Sequence, residues 1–128
     1  MASRKEAPVE SGPMKALRKF AMTLPDAEEG TSCVNRAFRV GKKAYAYLGM
    51  KGDQYKLMIK LTDSLAKAEA LHAKRPDNYQ PGKLGWVTVW LPLQEKAPKG
   101  LLEGWIEESY RALVPTASVD KLRKRRGR

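Results

Sequence analysis

Apolar and polar residues alternate from Arg36 to Leu61, RAFRVGKKAYAYLGMKGDQYKLMIKL, and this two-residue period predicts three consecutive strands joined by tight turns at Gly41 and Gly52. In the first strand Phe38 and Val40 alternate with Arg39. In the second, Ala44, Ala46, Leu48 and Met50 fall on one face and Tyr45 and Tyr47 on the other. In the third, Tyr55, Leu57, Ile59 and Leu61 make an apolar face, opposed by the largely polar Gln54, Lys56, Met58 and Lys60. The pattern is that of an antiparallel meander with one buried face. Lysines stand in or beside both turns, at Lys42, Lys43 and Lys51.

The flanks add helices and two further strands. Residues 1–12 are polar, small and proline-containing, and are expected to be disordered. Ser11 is a candidate N-cap. After it Met14, Leu17, Ala21 and Leu24 recur at helical spacing until Pro25 stops the helix, with Phe20 widening the stripe. The segment DAEEGTSCVN predicts a turn and then a short strand over Thr31–Asn35. A second helix is predicted over Ser64–Lys74, capped by Asp63 or Ser64, with Leu65, Ala68 and Leu71 inward and Pro76 beyond its end. The loop Arg75–Gly85 leads to a strand over Trp86–Leu91, and a last helix spans Lys99–Val114. The inward stripe of that helix is Leu102, Trp105 or Ile106, Ser109 and Leu113, with Glu103, Glu107 and Glu108 facing water. The order, helix, four strands, helix, strand, helix, predicts an α+β fold: a single antiparallel sheet of about five strands covered by helices on one side. The folded domain is expected over residues 13–115, followed by a basic tail, residues 116–128.

Composition changes this picture mainly through charge. A chain of 128 residues is the size of one domain. Its formal net charge of +11 and pI near 9.9 are far from ordinary. Residues 14–114 carry 17 basic and 11 acidic side chains, and residues 115–128 carry six basic against Asp120. Nearly half of the excess therefore lies in a short stretch that reads either as a solvated tail or as an arm for a polyanion. One cysteine, Cys33, allows no internal disulfide, and with one histidine, His72, no zinc cluster is expected. Residues 1–30 lack the apolar run of a secretory signal and no stretch is long enough to span a bilayer, so a soluble cytoplasmic protein without membrane contact is expected.

Catalytic chemistry finds little support. Asp26, Glu28 and Glu29 are adjacent in a predicted turn, whereas acid–base catalysis needs two carboxyls held at a set separation in an apolar pocket. His72 borders an inward helical stripe with no ligand or nucleophile suggested beside it, and reads as boundary packing. The Gly82-Lys83 pair lacks the upstream glycine and the following Ser/Thr of a phosphate loop. Trp86 and Trp90 have faces on which bases can stack, but large aromatics on a strand more often pack the sheet. Neither a catalytic residue nor a metal nor a cofactor is predicted, and the chain reads as non-enzymatic.

What the charge does predict is a nucleic-acid-binding module. Each Lys or Arg that neutralises a phosphate releases condensed counterions, and turns are well placed to straddle a backbone. The candidate contacts of the folded part are Arg39, Lys42, Lys43, Lys51 and Lys56. From the tail, Lys121, Arg123, Lys124, Arg125 and Arg126 would form a sequence-independent clamp. The alternative is a protein-interaction or chaperone-like module that uses the aromatic face Tyr45, Tyr47, Trp86 and Trp90.

A family resemblance bears on this choice. The succession LPDAEEGTSCVNRAFRVGKKAYAYL, Lys60 to Asp63, Tyr79-Gln-Pro, Gly85-Trp86-Val87, Glu108-Ser109-Tyr110 and Leu113-Val114 resembles the MmcQ/YjbR-like proteins over roughly residues 14–122. The resemblance implies a compact α+β domain related in shape to secretion chaperones, a double-wing motif and a DNA-binding role. It also implies a small bacterial cytoplasmic protein. DNA is accordingly expected as a partner ahead of RNA, and the two basic turns would be the wings.

Overall fold

The computed structural model describes residues 10–32 and 35–127, so Cys33 and most of the expected disordered N-terminal segment lie outside the described residues. The elements in chain order are α1 (Gly12–Met22), β1 (Glu28–Ser32), β2 (Asn35–Val40), β3 (Lys43–Lys51), β4 (Gln54–Lys60), α2 (Leu65–Lys74), β5 (Tyr79–Pro81), a 3-10 turn (Lys83–Gly85), β6 (Trp86–Pro92), α3 (Leu101–Leu113) and α4 (Thr116–Gly127). The fold is α+β. One antiparallel sheet of six strands runs in the order β1-β2-β3-β4-β6-β5, against the five or so expected. The strand that sequence patterning missed is β5, three residues ending in Pro81 at the sheet's edge, where a proline breaks no ladder and leaves no apolar alternation to read.

The inner face carries the core. Tyr55, Leu57 and Ile59 of β4 and Val87, Val89 and Leu91 of β6 are fully buried in the core, with α3 packed over β3 and β4 and α1 beside α3. Ser11 caps α1 by accepting a hydrogen bond from the Met14 N–H, and Met14, Leu17 and Ala21 form its buried stripe. The positive φ of Gly41 and Gly52 makes the two hairpin turns, at 59° and 62°, a conformation that a side chain would oppose.

Three expectations fail for physical reasons. Phe38 faces Ala46 while Arg39 faces Ala44, so Tyr45 is the extra residue of a β-bulge. The bulge turns Tyr45 inward, away from Tyr47. Its hydroxyl donates to the Ala21 carbonyl at 2.7 Å and its ring meets Tyr110 edge-on at 5.1 Å. Burial, followed by the neighbouring Tyr110, pushes the Tyr45 phenol well above its usual pKa, which keeps it a donor. Secondly, β1 begins at Glu28 rather than Thr31, because the carboxylates are not a solvated turn. Glu29 and Glu10 bind Arg18 and Arg36, and Glu28 faces Arg39. Thirdly, α2 has no side-chain cap of its own. Glu108 of α3, predicted to face water, accepts from the Thr62, Asp63 and Ser64 N–H groups at 2.6–3.0 Å and from the Ser64 hydroxyl at 2.6 Å.

Residues 116–127, read from sequence as a tail, form α4. Leu122 is fully buried and Ser118 nearly so. Asp26, at φ 61°, accepts from the Ser118 hydroxyl at 2.7 Å and from the Lys121 ammonium at 3.0 Å, and the Ser118 bond, followed by Lys121, holds the Asp26 carboxyl below its usual pKa. The basic run hid this helix because only Leu122 and Val119 offer apolar contact among many cations.

Candidate nucleic-acid interface

Among the described residues no helix packs on the outer face of the sheet. Register and alternation place Arg39 on β2, Tyr47 and Lys51 on β3, Lys56, Met58 and Lys60 on β4, and Trp86, Thr88 and Trp90 on β6 on this one side. Every residue of this set on β4 and β6 is half-buried, while its neighbours along the strand are buried on the inner side. Tyr47, Met58, Trp86 and Trp90 are not among the described residues packed against the core cluster.

The rings and cations are interleaved. Tyr47 and Trp86 have centroids 6.2 Å apart at an interplanar angle of 46°. The Lys56 ammonium lies 5.4 Å from the Trp90 ring centre, a cation–π contact, and the Trp90 Nε1–H donates to Gln80 at 3.0 Å, fixing the ring's orientation. Among the described strand residues Arg39, Lys51, Lys56 and Lys60 oppose one carboxylate on this face, Glu28, which lies 3.8 Å from Arg39. Lys60 is positioned from the other side of the sheet. Extending the β3–β4 register would set Tyr45 opposite Lys60, but the bulge opens that rung and the Ser109 hydroxyl fills it. It accepts from the Lys60 N–H at 2.9 Å and donates to the Tyr45 carbonyl at 2.6 Å.

Beside Trp86 stands the Lys83–Gly85 turn. Gly85, at φ 85°, lies so close to the Leu61 carbonyl that a Cβ would stand 2.5 Å from it, and its own carbonyl accepts from the Leu61 N–H at 2.8 Å. This clamp leaves Leu84 at φ 59°, unusual for a leucine, and 82% exposed.

The predicted contacts are thus dispersed. Lys42 and Lys43 are exposed at the β2–β3 turn and Lys51 at the β3–β4 turn, and these turns lie at opposite ends of β3, roughly 25 Å apart at about 3.3 Å per residue. Arg39 and Lys56 lie between them on the open face. In α4, Lys121 binds Asp26, Arg123 binds Asp120, Arg126 binds Glu107 and Arg125 donates to the Thr23 carbonyl. Lys124 has no acidic partner among the described residues. The aromatic face expected from Tyr45, Tyr47, Trp86 and Trp90 keeps all but Tyr45.

The family model described as YjbR matches residues 22–112. The chain belongs to the YjbR family. The match begins at the end of α1 and stops within α3, so it spans the whole sheet, the open face included, and leaves α4 outside. No curated protein and no solved structure shows significant similarity to the chain.

Sequence reading did not single out Lys60 or Leu84 as contacts, and it grouped Tyr47 with Trp86 only within an aromatic face for a protein partner. The alternation that sets Lys60 beside Lys56, and Trp86 beside Trp90, is present in the chain, but nothing in it says which sheet face the helices cover. His72, on the helical side, has its Nδ1 2.7 Å from the Tyr79 carbonyl. A cleft of about 450 Å³ between the first turns of α1 and α3 is lined by Tyr55, Lys96, Lys99 and Glu103 among others. Among the described residues no three His, Cys, Asp or Glu side chains converge, and no helix is long and apolar enough to cross a membrane.

Proposed function

We propose that this YjbR protein is a non-enzymatic nucleic-acid-binding module, with DNA the first candidate, and that the uncovered face of its sheet is the principal contact surface. The observation that carries this reading is the charge of that face: Arg39, Lys51, Lys56 and Lys60 stand there against Glu28 alone among the described strand residues. A surface of one sign attracts a polyanion, and each phosphate neutralised releases counterions. Lys42 and Lys43 extend the positive surface at one end. The cations of α4 supply a second, weaker contact, because most of them already have partners within the chain. Exposed ion pairs of that kind contribute about 0–1 kcal/mol and exchange readily for phosphate.

A protein partner would draw on the same rings and on exposed Leu84, but the lysines between the rings favour a phosphate-bearing ligand. The test is a titration of duplex and single-stranded DNA and RNA over a range of salt. Affinity should fall with salt, and Lys56→Gln with Lys60→Gln should lessen the slope of log K against log salt by about 0.7–0.9 per lysine. Absence of binding to every nucleic acid at low ionic strength would overturn the reading.

A further inference from the structure

Resting on that reading, we infer that the open face takes single-stranded nucleic acid, with bases stacked on Trp86 and Tyr47 and the backbone following Lys56 and Lys60. In a duplex the base faces are already stacked on one another, so rings on a sheet face gain little from it. In a single strand every base has a free π-face, and aromatic platforms beside cations are the arrangement that uses it.

The geometry separates the roles of the side chains. The Lys56 ammonium occupies the Trp90 ring, so Trp90 holds a phosphate-binding cation at the level of the platform and is not itself the first stacking surface. Among the described residues no cation lies over Tyr47 or Trp86, and at 46° the two rings are tilted and not stacked face to face. Lys60 shares the register pair with Trp86, which sets a cation directly beside the ring. Leu84, two residues from Trp86, is an apolar side chain held at positive φ and 82% exposed. Backbone strain of this kind clusters at contact sites.

The test uses the full chain with oligothymidylate and, as the comparison, a duplex of equal length at the same salt. Fluorescence of Trp86 and Trp90 should be quenched by the single strand, and the single strand should bind more tightly than the duplex. Trp86→Ala should lower single-strand affinity about ten- to a hundred-fold with the salt slope unchanged, because stacking and charge are independent contributions. Trp86→Phe should retain most of the affinity, and Tyr47→Leu should lose part of it. These two variants carry the test if Trp86→Ala melts below the working temperature. Duplex binding at least as tight as single-strand binding, or unchanged single-strand affinity in Trp86→Ala and Tyr47→Leu, overturns the inference and leaves the broader reading standing. If neither nucleic acid binds at low salt, both fall together.

Discussion

Tyr47 and Trp86 belong to strands that flank β4 on either side, yet their rings approach to 6.2 Å between centres above it. Backbones two strands apart are separated by roughly 9.5 Å, so the two side chains lean toward one another across β4. An outer face that served only to keep the sheet in water would carry Thr, Lys and Glu there. This one carries rings between lysines, and the platform depends on the elements that hold β3 and β4 in place beneath it.

The Ser109 hydroxyl is one of those elements. Ser109→Ala leaves the Lys60 N–H and the Tyr45 carbonyl without their bridge in a site from which water is largely excluded. The expected loss is about 2–3 kcal/mol, since an unsatisfied buried group costs about 1–3 kcal/mol. Urea unfolding at neutral pH measures it, and a change within about 0.5 kcal/mol would contradict the role given to the hydroxyl.

Glu108 links stability to pH. Burial pushes its carboxyl up, but the hydrogen bonds from the Ser64 hydroxyl and the Thr62, Ser64 and Asp63 N–H groups outweigh it, so the pKa lies below the usual 4.5. A depressed folded-state pKa means stability that is complete above the unfolded value and lost as pH falls through the folded one. Glu108→Gln should therefore destabilise the protein by about 1–2 kcal/mol at pH 7, and the gap from the parent should narrow below pH 4.5. Melting curves across this range check the sign. A gap that stays constant on acidification would contradict it.

How much of this was legible depends on the element. The meander was, because alternation at Phe38, Val40, Leu57 and Ile59 has a single structural meaning and the glycine turns bound it. Tyr45 was not. A bulge shifts the face of a residue without changing any letter, and the hydroxyl partner that explains it, the Ala21 carbonyl, is 24 positions away. Likewise Glu108 reads as one more acidic residue on a helix until α2 is seen to begin under it. The open face was half legible. Lys56, Trp86 and Trp90 stand out in sequence, but which side the helices cover is a property of the assembled sheet.

Leu84 should behave as a residue kept for contact at the expense of stability. Leu84→Asn places there a side chain that tolerates the left-handed region, and should raise stability by about 0.5–1 kcal/mol. Thermal denaturation reads the gain. Loss of stability would mean that the leucine packs against something within the chain.

The relative weight of the sheet and of α4 can be separated by charge. Arg123→Gln with Lys124→Gln leaves Leu122, Ser118 and the Asp26–Lys121 contact intact. This pair should lower oligonucleotide affinity less than Lys56→Gln with Lys60→Gln, as measured by titration at one low salt concentration. The reverse order would move the principal contact to α4.

The central claim, that the uncovered sheet face is where nucleic acid lies, is tested most directly by photo-crosslinking a bromouracil-substituted single strand to the full chain and mapping the adducts by mass spectrometry. The account predicts adducts on peptides containing Tyr47 and Trp86. Adducts confined to residues 116–127 would contradict it.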